Sequence, residues 1–128
     1  MIAVIKQPHP SERRKHQRLE SNIPVKICCD EFDIVTQTAN VSRSGVYCRV
    51  NKYIEPMTKL KIQLLLPFKG EKKTVTKKVS CYGVIVRTES VPKEDAFNVA
   101  IYFNDMASRD AECLAEFINT MLDQNKTA

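Results

Sequence analysis

Leu60-Lys61-Ile62-Gln63-Leu64 alternates apolar and polar residues without a break. Successive side chains of a strand point to opposite faces, so this pattern predicts a half-buried β-strand, and Pro67 is expected to end it. The same period recurs on both sides. Upstream, Val25, Ile27 and Cys29 alternate with Lys26, Cys28 and Asp30. Phe32, Ile34 and Thr36 begin a second strand that runs toward Asn40, and Gly45-Val46-Tyr47-Cys48-Arg49-Val50 makes a third, entered through a turn at Ser42 to Gly45. Downstream, Val75 to Val86 predicts a long strand with Val79, Cys81, Val84 and Val86 as its apolar members. Gly83 marks a bulge or bend in it, because glycine packs poorly in a strand interior. Phe97, Val99, Ile101 and Phe103 predict the last strand.

The period then changes. Leu114, Phe117, Ile118 and Met121 recur at helical spacing, with Glu112, Glu116 and Asp123 off that face. Asn104, Asp105 and Ser108 are candidate N-caps, and Asp110 suits a first helical turn. The fold class is therefore all-β with a terminal helix: a six-stranded antiparallel β-barrel plus a C-terminal α-helix that lids it. Residues 1–20 are polar, hold Pro8 and Pro10, and read as a flexible N-terminal arm, with the barrel and helix over 21–128.

The chain has 128 residues, of which 43% are hydrophobic and 27% charged, enough for one packed core with a charged surface. No apolar run approaches the length that spans a bilayer, and Met1 to Lys6 lacks the basic and apolar regions of a signal peptide, so a cytoplasmic protein is expected. Cysteines stand at 28, 29, 48, 81 and 113, without a Cys-x-x-Cys pair, and the only histidines are His9 and His16. That pattern offers no metal-ligand spacing; the cysteines read mostly as small core residues in a reducing compartment. The net charge of +5 is concentrated in Arg13 to Arg18 and Lys69 to Lys78. The lysine-rich stretch reads as a solvated hairpin whose charges discourage edge-to-edge pairing.

Two short motifs carry the chemistry. Glu12-Arg13-Arg14-Lys15-His16-Gln17-Arg18 holds an arginine pair with a third arginine four residues on, and Asn40-Val41-Ser42-Arg43-Ser44-Gly45 reads Asn-x-Ser-x-x-Gly. Arginine grips phosphate and the O6/N7 edge of guanine with a planar fork of donors. Asparagine and serine add directional polar groups, and glycine admits close approach. Together they ask for a ligand with both phosphate and guanine. The competing reading of the arm is a solvated basic segment or a nucleic-acid hook, and that of Asn40 to Gly45 is a plain turn.

The pair of motifs resembles the PilZ family, bacterial receptors for cyclic di-GMP. Arg14-Lys15-His16-Gln17-Arg18 matches the family's Arg-x-x-x-Arg motif, with Arg13 as a frequent extra arginine. Asn40, Ser42 and Gly45 match its Asp/Asn-x-Ser-x-x-Gly motif in the asparagine variant. The resemblance covers nearly the whole chain and implies a six-stranded barrel with a terminal helix. It implies cyclic di-GMP as the ligand, bound by Arg13, Arg14, Arg18, Asn40, Ser42 and Gly45. Arg14 and Arg18 would meet guanine edges and phosphates. Asn40 and Ser42 would project from the barrel toward a guanine, with Gly45 keeping the approach open. Arg87 follows Val84-Ile85-Val86 within reach of the same face, but it reads as a solvated charge at a strand end and stays outside the site. No catalytic set, phosphate-binding glycine loop or cofactor site is present in the sequence, so a receptor that signals through an effector protein is expected rather than an enzyme. A nucleic-acid-binding barrel and a protein-docking module that ignores the nucleotide are the alternatives; DNA and RNA are not expected as partners.

Overall fold

The computed structural model describes residues 18–127. Six strands precede one helix: β1 Pro24–Cys28, β2 Asp33–Val41, β3 Gly45–Val50, β4 Lys59–Lys69, β5 Thr74–Ser90, β6 Phe97–Asp105 and α1 Ser108–Thr127. Every strand pair is antiparallel. The sheet closes on itself in the order β1-β2-β3-β6-β5-β4, so every strand is paired on both sides over part of its length. The expected six-stranded barrel with its terminal helix is therefore the fold.

Closure follows from the alternation. Each strand sends one face inward, and a barrel of this size is filled by those side chains. Val25 and Ile27 from β1, Ile62, Leu64 and Leu66 from β4, Val79 and Ile85 from β5, and Val99 and Ile101 from β6 are all buried. Leu114, Phe117 and Ile118 of α1 are buried as well. The helix packs on β4 and β5, and Phe117 meets Phe68 edge to face at 5.7 Å between ring centroids. Cys48 and Cys81 belong to this core, and burial pushes both thiols up to about 12, so they remain protonated. Among the described residues no cluster of His, Cys, Asp and Glu is placed to hold a metal ion, and no helix is long and apolar enough to cross a membrane.

Three local expectations are corrected. Pro67 does not end β4, which runs on to Lys69 with Pro67 opposite Thr76. β1 pairs with β4 only along Lys61 to Leu64, so beyond that point one side of β4 is an edge, where a proline's missing N–H costs no ladder bond. In β5 the inward residues are Val79, Cys81, Gly83 and Ile85, whereas Val84 is half-buried and Val86 is exposed. At the start of α1 the first backbone bond runs from Ala111 N–H to the carbonyl of Ala107. The cap position thus falls on Ala107 and not on any of the three polar candidates. Gly83 does mark an irregularity, with a register shift between Tyr82 and Gly83. A Cβ there would sit 2.8 Å from Ile101 Cγ2, so the residue is small because β6 presses on it.

Candidate functional site

The described chain begins where the arginine motif ends. Arg13 and Arg14 lie outside the described residues. Leu19 is buried and forms an isolated antiparallel bridge with Val41. Its N–H donates to the Val41 carbonyl at 2.7 Å, and Val41 N–H returns a bond at 2.9 Å. This bridge pins the end of the arm to the end of β2 and fixes where Arg18 emerges. Arg18 Nη1 then donates to Asn40 Oδ1 at 2.7 Å, across 22 residues of sequence. The two motifs therefore meet in space. An arginine can only donate, so the amide of Asn40 turns its oxygen to it and keeps its –NH2 as a donor for other acceptors.

Asn40 faces outward because of a bulge. Ile34, Thr36 and Thr38 alternate inward along β2, and strict alternation would send Asn40 into the barrel next. The pairing of β2 with β3 shifts between Thr38 and Asn40. After the shift Val41 is the buried residue and Asn40 is only half-buried. One extra residue in a strand re-aims every side chain that follows. Thr38 is held in place beneath, donating from Oγ1 to the Ser21 carbonyl at 2.5 Å and accepting from Ile23 N–H at 3.0 Å.

A second bulge has the same effect on β5. The register against β6 shifts between Ile85 and Arg87, leaving Val86 as the extra residue. Arg87 then pairs with Ala100, Ala100 with Tyr47, and Tyr47 with Asn40. Four residues on four adjacent strands thus form one outward row, roughly 14 Å from end to end at about 4.8 Å per strand. Within it the Arg87 guanidinium lies 5.9 Å from the centre of the Tyr47 ring. Arg87 Nε also stands 3.7 Å from Glu89 Oε2, while Tyr47 O–H donates to Glu89 Oε1 at 3.3 Å. Nothing local in the sequence marks Tyr47 or Glu89 as part of this face, because pairing register sets which residues share the row of Tyr47 and Arg87, with Glu89 two residues beyond Arg87.

Ser42 and Gly45 occupy other positions than expected. Ser42 does not project; it is buried. Its Oγ accepts from Ser44 N–H at 3.1 Å and Gly45 N–H at 3.2 Å, and its own N–H donates to the Gly45 carbonyl at 2.8 Å. It therefore shapes the turn from β2 into β3 and acts on the face indirectly. Gly45 is buried against β6, where an added Cβ would run into the Ile101 carbonyl oxygen. Its smallness serves strand packing. Ser42→Ala is expected to leave two N–H groups without their acceptor and to lower stability by about 1–3 kcal/mol, read as a shifted urea midpoint at constant slope. Unchanged stability would return Ser42 to a surface role.

The fold is thus a closed barrel with an asparagine on an outer row joined to an arginine of the segment before β1. A model of the PilZ domain matches residues 12–120, and the chain belongs to the PilZ family, whose members are receptor and adaptor domains that bind cyclic di-GMP and effector proteins. Among solved structures, the Bacillus subtilis inhibitor of motility, MotI/DgrA, shares the fold, with a TM-score of 0.69 at 20% identity. The similarity covers 87% of this chain and 52% of that one, so the present chain spans about half the length of that protein. No match is found among curated proteins.

Proposed function

We propose that this protein is a cytoplasmic cyclic di-GMP receptor that closes its N-terminal arm over the barrel on binding and signals through an effector protein. The observation that carries the reading is the 2.7 Å bond from Arg18 to Asn40. It brings the end of the Arg-x-x-x-Arg motif onto the start of the Asn-x-Ser-x-x-Gly motif, so that one ligand can engage both. Arg13 and Arg14 precede Arg18 by only a few residues and supply the remaining phosphate and guanine contacts. Ser42 and Gly45 contribute by holding the turn that presents Asn40. The output lies in motility, pili, exopolysaccharide or chemotaxis; motility is the process named for the Bacillus subtilis neighbour.

Calorimetry with cyclic di-GMP, beside GTP and a short oligonucleotide, tests the reading. Saturable binding of cyclic di-GMP alone is the expected result. Oligonucleotide binding that weakens steeply with salt, without binding of the dinucleotide, would instead identify a nucleic-acid barrel.

Two predictions belong to this site. Asn40→Asp is expected to bind at least as tightly as the parent. One carboxylate oxygen keeps Arg18 in a charge-assisted bond, and the other accepts guanine N–H groups. A large loss would assign the role of Asn40 to its amide –NH2. The second concerns the arm. Fixing a residue costs about 1–2 kcal/mol in backbone entropy, which the arginine contacts must exceed. Hydrogen exchange of residues 8–17 is expected to slow strongly on binding. Equal exchange with and without saturating ligand would remove the closing arm while leaving the ligand assignment intact.

A further inference from the structure

Building on that reading, we infer that Tyr47, Arg87 and Glu89 form a second guanine seat on the barrel wall, separate from the motif residues Arg18 and Asn40. The placement comes first. Tyr47 neighbours Asn40 directly across β2 and β3, and Arg87 lies two strands further along the same outward row. Arg87 reaches this row only through the bulge at Val86. Without it, the alternation of Cys81, Gly83 and Ile85 would carry residue 87 into the core. A bulge breaks the ladder locally, and such irregularities concentrate where a side chain is re-aimed for use. The two bulges, on β2 and β5, turn their polar residues to the same face from opposite ends of it.

The chemistry matches one base. The Tyr47 ring offers a flat aromatic shelf on which a purine stacks, with the Arg87 guanidinium 5.9 Å from its centre. Arg87 donates in a fork suited to the O6 and N7 acceptors of guanine. Glu89 accepts only, and it stands beside both partners, 3.3 Å from the tyrosine oxygen and 3.7 Å from Arg87 Nε. It suits the N2 amino donor of guanine, which adenine lacks. An exposed ion pair such as Arg87 with Glu89 contributes little to folding on its own, so stability does not explain why three such groups converge. A dinucleotide with two guanines has one for the Arg18–Asn40 end of the row and one for this end.

The test is calorimetry of the intact protein with cyclic di-GMP and cyclic di-AMP, using Arg87→Ala, Tyr47→Ala, Tyr47→Phe and Glu89→Gln. Lys72→Ala, at the exposed tip of the β4–β5 hairpin, removes the same charge as Arg87→Ala far from the row. Arg87→Ala and Tyr47→Ala are each expected to weaken cyclic di-GMP binding about tenfold. Tyr47→Phe keeps the ring but loses the hydrogen bond to Glu89, so it is expected to fall between the parent and Tyr47→Ala, whereas Lys72→Ala is expected to bind like the parent. Glu89→Gln is expected to narrow the preference for guanine over adenine. Thermal melts confirm that each variant is folded, and Arg87→Ala carries the test if Tyr47→Ala is not. If the parent binds cyclic di-GMP and Arg87→Ala matches Lys72→Ala, the second seat is wrong and the receptor reading stands. If the parent binds no cyclic di-GMP, both fall together.

Discussion

Arg18→Ala is expected to weaken cyclic di-GMP binding by roughly ten- to a hundredfold, with the circular dichroism spectrum unchanged. A bidentate arginine contact to a guanine edge contributes about 1–3 kcal/mol, which is that range of affinity. The side chain is only part-buried and donates to Asn40, and the barrel core is built from other residues. Arg14→Ala is expected to lose a similar amount through its own contacts. Binding by both variants at the parent's affinity would exclude the arginine motif from the site. Loss of binding together with loss of the native spectrum would mean that Arg18 is needed for folding.

Gly45→Ala is expected to destabilise the fold by about 3 kcal/mol, the upper part of the range for overpacking, and to lower the melting temperature by roughly 10 °C. The methyl group would meet the Ile101 carbonyl oxygen, with the Ile101 carbonyl carbon at 3.3 Å and Tyr102 Cα at 3.4 Å. All three are backbone of β6, which cannot give way as a side-chain tip can. β3 would have to move off β6, and the row that joins Asn40, Tyr47 and Ala100 would shift with it. Cyclic di-GMP affinity is therefore expected to fall as well. A variant as stable as the parent but unable to bind would show that Gly45 borders the ligand instead of packing the sheet.

Much of this molecule is legible in the sequence because the signals are local. Alternation in Leu60 to Leu64 and in Phe97 to Phe103 is enough to identify strands, since burial of one face is a property of each residue's own side chain. The change to a period of 3.6 after Asp110 marks the helix for the same reason, and Leu114, Phe117 and Ile118 are indeed its buried face. The arginine and asparagine motifs are legible as chemistry, because their residue types state which ligand groups they can hold. Their meeting in the Arg18–Asn40 bond fits that reading.

What only the tertiary structure decided is which way the site residues point. Thr38 and Asn40 are two apart, as are Ile85 and Arg87, and by alternation alone each pair shares a face. A bulge between them separates both pairs, turning Asn40 and Arg87 outward. Ser42 was legible as polar, yet the turn consumes its hydroxyl and buries it. Pro67 was legible as a strand breaker, yet β1 ends its pairing before reaching it and leaves an edge that tolerates a proline. For Asn40, Arg87 and Pro67 the deciding quantity is the register against a neighbouring strand, and for Ser42 it is the geometry of the turn from β2 into β3. A residue's side chain sets its own preference for water or core, but the face it occupies depends on how many residues the neighbouring strand places opposite it.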